Sequence, residues 1–197
     1  MDFLTQLDHN FIDVNVLLFI QEYLRFEWMT PIWKFITWFG DAGWFWIALS
    51  VILLIPKRTR KIGAAALISL LIGALITNVA LKNLVARTRP YEVIDGLILL
   101  VDPQHDFSFP SGHSCASFAA AMVYYKMFPK KYGVPAVILA TLIALSRLYV
   151  GVHYPSDVAA GILIGILAAW IACRIVGEKK DVKKEVLRKL KERASVL

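Results

Sequence analysis

Cysteine is nearly absent: the 197 residues contain two, Cys115 and Cys173. Two thiols cannot build the disulfide framework of a small secreted domain, and no Cys spacing of the metal-site type is present. The expected helices put Cys115 at the start of one membrane span and Cys173 at the end of another, at opposite membrane faces. A bilayer core about 30 Å thick keeps them from pairing, so both read as small apolar packing residues. Positive charge is missing from the N-terminal end. The first 25 residues carry Asp2, Asp8, Asp13 and Glu22, and no basic residue precedes Arg25. That is the wrong charge pattern for a secretory leader, and none is expected. Internal repeats and low-complexity linkers are also missing, so the chain reads as one compact unit.

Apolar residues are abundant, at 58% of the chain with a mean hydropathy of +0.59. A typical globular domain holds roughly 45–50%. The apolar residues come in long blocks, which excludes an ordinary soluble domain. Five segments suit bilayer-spanning helices, at about residues 31–55, 62–85, 113–128, 133–149 and 156–176. Several approach the roughly 20 residues a span requires. Residues 3–25 are apolar at Phe11, Val14, Leu17, Leu18 and Tyr23 but interrupted by Asp13, Asn15, Gln21 and Glu22. They read as an interfacial amphipathic helix, with a sixth span as the alternative. The expected fold is therefore all-α, an integral-membrane helical bundle of about five transmembrane helices.

Three parts are expected: an N-terminal interfacial helix at 1–29, a membrane-embedded domain at 30–176 and a basic tail at 177–197. Residues 178–197 carry eight Lys or Arg against four Asp or Glu, within a chain of net charge +7. Val182, Val186, Leu190 and Ala194 recur every four residues there, as in an amphipathic surface helix. Such a tail suits anionic lipid headgroups rather than nucleic acid.

Orientation follows from the basic loops. Lys57, Arg58, Arg60 and Lys61 lie between spans one and two; Lys126, Lys130 and Lys131 lie between spans three and four. With five spans these loops and the tail share one side, the cytoplasmic one. The loop at about 86–112 and the turn at about 150–155 then face outward. Trp28, Trp33 and Trp38 suit an outer aromatic belt, while Trp44 and Trp46 read as deeper packing residues. Gly161 and Gly165 form a Gly-x-x-x-Gly pair, which reads as intramolecular packing rather than a dimer contact.

Three clusters of reactive side chains fall at that outer face. The first is Lys82, Arg87, Arg89 and Pro90. Lys82 and Arg89 are seven residues apart, which on a helix gives one stripe, shared by Asn78, with Pro90 ending the helix. A lysine in an apolar span marks function, unless it only snorkels to the interface. The second is Phe109-Pro110-Ser111-Gly112-His113. A turn opening a helix presents free N–H groups to an anion, and Ser111 adds a donor. His113 exchanges protons near neutral pH. A helix N-cap beside an interfacial histidine is the plainer reading. The third is Ser146, Arg147, His153 and Asp157. A carboxylate close behind a histidine fixes its tautomer and leaves one nitrogen free to attack. The plainer reading is an Arg147–Asp157 staple with His153 a bystander. Taken together, three cations, two histidines, a carboxylate and free N–H groups at one depth supply what phosphoryl transfer needs, positioning and charge stabilisation.

The sequence resembles the type 2 phosphatidic acid phosphatase superfamily. The resemblance rests on Lys82-x6-Arg89-Pro90, Pro110-Ser111-Gly112-His113 and Ser146-Arg147-x5-His153-x3-Asp157, in that order, and covers roughly residues 30–176. It implies a membrane lipid phosphatase without cofactor or metal. His153 is then the nucleophile that becomes a phosphohistidine, and Asp157 orients it. His113 protonates the leaving oxygen and then helps activate water. Lys82, Arg89, Arg147, Ser111 and the Gly112 N–H hold phosphate oxygens. Arg87 is outside the motif and reads as a secondary phosphate or headgroup contact. His105 reads as a solvated loop residue, and His9 carries no role. The loop 91–110, with Ile98, Leu99, Leu100 and Val101, is expected to cover the site as a lid.

The expected partner is a lipid phosphate. Small members of the family that recycle a polyprenyl carrier point to undecaprenyl diphosphate, with phosphatidylglycerophosphate and phosphatidic acid as alternatives. A lipid or anion transporter would explain the cations but not the histidines and aspartate. A phosphotransferase would share the phosphohistidine.

Overall fold

The computed structural model describes residues 11–177. His9 and the expected tail helix lie outside the described residues. Every regular element among the described residues is helical.

The first helix of the described residues, α1 (Phe11–Phe19), continues into a π-helical turn at Ile20–Leu24. Asp13 and Leu17 are its buried residues, while Phe11, Ile12, Phe19 and Tyr23 are exposed. Of the polar positions that interrupt the apolar run, Asp13 and Gln21 are inward contacts, whereas Asn15 and Glu22 are exposed. Gln21 donates to the Gly96 carbonyl at 2.9 Å and accepts from the Ile98 N–H at 2.8 Å.

The expected first span is broken. Helices α2 (Thr30–Trp38) and α3 (Trp44–Leu54) are joined by a 3-10 turn at Asp41–Gly43 and bent by 40°. The break has a local cause. Ala42 and Gly43 adopt left-handed φ values of 48° and 67°, which no α-helix accommodates. The break also passes close over α7, introduced below. A Cβ on Gly40 would sit 2.5 Å from His113 Cδ2.

The second span is α4 (Arg60–Ala74), a π-helical stretch at Leu75–Leu81 and α5 (Lys82–Val85). Its end differs from expectation. Ala86, at φ 48°, stops the helix before Arg87, and its N–H caps the Lys82 carbonyl. Arg89 is extended, as a residue before proline prefers. Pro90 opens α6 (Pro90–Val93) rather than closing the previous helix. Lys82 and Arg89 therefore do not share a helical stripe.

Three longer helices follow: α7 (Gly112–Met127), α8 (Lys130–Tyr149) and α9 (Pro155–Val176). α7 is the central post. Ala119, Ala120, Ala121 and Val123 on it are fully buried. α9 approaches it closely because two glycines face it. A Cβ at Gly161 would lie 2.5 Å from the Ser111 carbonyl oxygen, and one at Gly165 would lie 2.6 Å from that of Cys115. The Gly-x-x-x-Gly pair thus serves contact within the chain.

The protein is an integral-membrane helical bundle. Three helical stretches among the described residues are long and apolar enough to cross a bilayer, Arg60–Val93, Lys130–Tyr149 and Pro155–Val176. The α2–α3 pair makes a fourth if the bent pair is one span. α7 has 16 residues, short for a span but enclosed by its neighbours. Trp28 and Trp38 are exposed, as a belt requires. Trp46 is buried and donates to Ser117 Oγ at 3.0 Å. Trp44 is more exposed than expected, its indole N–H bonded to the Trp38 carbonyl at 3.0 Å.

The loop expected as a lid is largely a wall. Leu97 is buried, and Leu99, Leu100 and Val101 pack on Tyr149, Val150 and Val152. The Leu100 N–H bonds the Val150 carbonyl at 3.2 Å. Only its far end, at Gln104 and Asp106, reaches the cavity described next.

Candidate active site

The ends of α5 and α8 and the starts of α7 and α9 meet at one end of the bundle, around a cavity of about 360 Å³. Lys82, Arg89, Asp106, His113, Arg147 and His153 line its polar part; Ile47, Leu70 and Ala74 line an apolar part. Residues from all three sequence clusters are brought together.

His153 sits in the short turn between α8 and α9, fully enclosed. Its Nε2 lies 3.2 Å from Arg89 Nη1 and its Nδ1 3.4 Å from Asp157 Oδ2. A guanidinium only donates, so Nε2 is the acceptor and the ring proton belongs on Nδ1, facing the carboxylate. Burial pushes the imidazole pKa down to about 3; Asp157 opposes this, and the Arg89 and Arg147 charges add to it. At neutral pH the ring is uncharged, with its Nε2 lone pair beside the cationic cluster.

Asp157, at the first turn of α9, is held from every side. Oδ1 accepts from Arg87 Nη1 at 2.7 Å. Oδ2 accepts from the Ser108 hydroxyl at 2.5 Å and the Tyr154 N–H at 3.0 Å. Arg87 is the corrected residue here. It is not a headgroup contact but a buried staple, its guanidinium 3.7 Å over the Tyr154 ring. Its other arm reaches Asp13 Oδ2 on α1 at 2.8 Å. Asp13 also accepts from the Ser156 N–H at 3.0 Å. The partner of Asp157 is therefore Arg87, not Arg147. Arg147 instead donates to Thr37 Oγ1 on α2 at 2.6 Å, and its buried Nε has no hydrogen-bond partner among the described residues.

Lys82 and Arg89 both contact the Asp106 carboxylate. Arg89 Nε also donates to the Asp106 carbonyl at 3.0 Å, and its Nη1 to the Val152 carbonyl at 2.8 Å. Burial by itself would raise the Asp106 carboxyl pKa, but the two cations hold it below the ordinary range. On the opposite wall, His113 Nε2 lies 2.8 Å from Asp41 Oδ1, in the break between α2 and α3. Gly112 lines the cavity, but Ser111 does not. The Ser111 hydroxyl caps α7, accepting from the Ser114 N–H at 3.4 Å and the Ser114 hydroxyl at 3.0 Å. His105 lines a neighbouring cavity of about 390 Å³ shared with Lys82, Arg89 and Asp106. Among the described residues no group of three His, Cys, Asp or Glu is arranged to hold a metal ion.

The model of the PAP2 superfamily matches residues 63–181. The chain belongs to the PAP2 superfamily. It is 34% identical over 165 residues to an undecaprenyl-diphosphatase of Sulfolobus acidocaldarius, covering 83% of this chain and 79% of that one. Its fold matches the crystal structure of LpxE from Aquifex aeolicus with a TM-score of 0.75 at 24% identity, over 83% of this chain and 95% of that one. It also matches a transmembrane PAP2-type phosphatidylglycerolphosphate phosphatase from Bacillus subtilis with a TM-score of 0.71 at 25% identity, over 87% and 90% of the two chains. The protein is thus a membrane lipid phosphatase of the PAP2 superfamily.

Sequence reasoning missed Asp13, Thr37, Asp41, Asp106 and Ser108. Asp41 carried a usable signal, an acidic residue between glycines inside an apolar run. Ser108 and Thr37 carried none, because a hydroxyl in a loop or helix is unremarkable until its partner is known.

Proposed function

We propose that this PAP2 phosphatase hydrolyses undecaprenyl diphosphate through a phosphohistidine on His153. The observation that carries the reading is the state of His153: buried, uncharged, its Nδ1 held by Asp157 and its Nε2 lone pair beside Arg89. In the first step Arg89 moves its donor from Nε2 to a phosphate oxygen, and Nε2 attacks phosphorus in line. The bond from phosphorus to the leaving oxygen breaks, and His113 gives that oxygen a proton. In the second step water attacks the phosphohistidine, His113 takes the water proton, and the P–N bond breaks. Asp157 balances the charge on His153 while it carries the phosphoryl group. Lys82, Arg89, Arg147 and the Gly112 N–H hold the equatorial oxygens. Ser111 acts by seating the start of α7.

The polyprenyl substrate is supported by the relative from Sulfolobus acidocaldarius, whose name carries that activity. Phosphatidylglycerophosphate is the second reading, supported by the Bacillus subtilis structure. The basic loops at Lys57–Arg60 and Lys130–Lys131 join helix ends opposite the cavity, and the positive-inside tendency supports a cavity at the extracytoplasmic face.

The test is phosphate release from a panel of lipid phosphates by purified protein in detergent, with His153→Ala beside the wild type. Loss of release on every substrate supports the nucleophile. Wild-type turnover in the variant would sink the mechanism, and preference for a phospholipid would replace the polyprenyl substrate.

A further inference from the structure

The geometry points to Asp41 as the positioning residue of His113, the partner that decides which imidazole nitrogen exchanges protons with the substrate. This rests on the proposed role of His113 as acid and base.

Asp41 interrupts an apolar segment that would otherwise form one span. Carboxylates within apolar segments are uncommon, and they persist where they have a partner. Among the described residues its hydrogen-bond partner is His113, from Oδ1 to Nε2 at 2.8 Å. The backbone around it is shaped to bring the two together. Ala42 and Gly43 take left-handed φ values of 48° and 67°, and a non-glycine residue in that region is strained. Gly40 leaves room for the ring: a Cβ there would lie 2.5 Å from His113 Cδ2 and 2.7 Å from Ile143 Cγ2. Gly40, Ala42 and Gly43 all line the cavity beside His113, while Asp41 approaches from the rim with its side chain 53% exposed.

The consequence is an assignment of atoms. Nε2–H donates to the Asp41 carboxylate, which leaves Nδ1 as the nitrogen that faces the chemistry. As the bond from phosphorus to the leaving oxygen breaks, the Nδ1 proton passes to that oxygen and the ring becomes neutral. As water later attacks the phosphohistidine, its proton returns to Nδ1 and the P–N bond to His153 breaks. Asp41 remains a carboxylate throughout and never touches the substrate. The two histidines are thus held by opposite nitrogens, His153 through Nδ1 and His113 through Nε2. Both rings line the cavity, so the nitrogen left over on each is the one available to the substrate.

A positioned acid matters in proportion to how poor the leaving group is. An alkoxide needs the proton; a nitrophenolate hardly does. The experiment therefore compares an alkyl phosphate with p-nitrophenyl phosphate, using wild type, Asp41→Asn, Asp41→Glu, His113→Ala and His153→Ala in detergent. Both esters are read on the same preparation, so the ratio of their kcat values does not depend on how much protein folded. Asp41→Asn should lower kcat for the alkyl ester about 10-fold more than for the nitrophenyl ester, a fraction of the roughly 10²–10⁴ a positioned acid contributes. His113→Ala should show the same bias, larger, and Asp41→Glu should recover part of it.

Equal loss on both esters in Asp41→Asn would make Asp41 a structural residue and overturn the inference. So would an unchanged ratio, if His113→Ala is selective while Asp41→Asn is not; the role of His113 then stands. If His113→Ala shows no bias, or His153→Ala keeps its activity, the underlying mechanism fails and the inference falls with it.

Discussion

Arg87 Nη1 lies 2.7 Å from Asp157 Oδ1, with both side chains fully buried. The same guanidinium reaches Asp13 on α1 at 2.8 Å. One residue outside the recognised motif therefore ties the N-terminal helix to the carboxylate that orients His153. Removing it leaves two buried carboxylates without their cation, a loss of about 3–5 kcal/mol for a broken buried pair. Arg87→Met should lower the thermal midpoint in detergent sharply and reduce activity in the protein that survives. Asp13→Asn, which leaves the Arg87–Asp157 contact in place, should cost less. Equal midpoints for wild type and Arg87→Met would show that the staple contributes nothing.

Acid should destabilise the fold through His153. Its pKa is about 3 in the folded protein against 6.5 for the free side chain. Between those values the unfolded chain binds a proton that the folded one refuses. Stability is full above pH 6.5, and it is lost as the pH falls through the window toward 3. At pH 5 the deficit is about 2 kcal/mol. The thermal midpoint of wild type should fall between pH 7.5 and 5, and His153→Gln should flatten that slope. An identical slope in both proteins would assign the acid sensitivity elsewhere.

Asp106 should compete with phosphate. Its carboxylate contacts both Lys82 and Arg89 and is 54% exposed at the mouth of the cavity. An incoming phosphate that engages those cations must share or displace it. Asp106→Asn removes the competing charge, so inorganic phosphate should inhibit p-nitrophenyl phosphate hydrolysis more tightly, by about 3–10-fold. A weaker or unchanged inhibition constant would mean that Asp106 instead helps to hold the cations in place.

The contact of α9 with α7 should tolerate no side chain at Gly161. A Cβ there meets a backbone oxygen, that of Ser111, at 2.5 Å, and backbone cannot rotate away. Gly161→Ala should cost about 1–3 kcal/mol by overpacking. It should also lower activity, because Ser111 precedes the helix start that carries Gly112 and His113. A substitution at Gly96, where a Cβ meets nothing within 4 Å, is the control for added bulk alone, although its positive φ of 78° favours glycine.

Much of this was legible in the chain. Hydropathy blocks mark the bundle, because a bilayer demands long apolar helices and nothing else in a soluble protein does. Lys82, Arg89, His113, Arg147 and His153, which carry the family resemblance in the chain, line one cavity, and Asp157 stands behind His153. The helical stripe joining Lys82 to Arg89 was wrong, because Ala86 reverses the backbone between them. The plainer alternative, a staple between Arg147 and Asp157, is not formed. Asp157 sits beside His153 and is reached by Arg87 from the extended segment that follows α5.

The sequence by itself determined the class of fold and most of the polar side chains that meet at the cavity, since both are marked by composition and by motifs within single segments. Only the tertiary structure decided who holds whom: Arg87 on Asp157 and Asp13, Asp41 on His113, Asp106 on Lys82 and Arg89, Ser108 on Asp157. Those partners come from elements separated along the chain by between 17 and 74 residues. A hydrogen bond is fixed by distances of about 3 Å, and no pattern along the chain encodes a distance between separate helices. That distance is set by how closely the helices pack, here by glycines at 40, 161 and 165 where a single Cβ would push the partners apart.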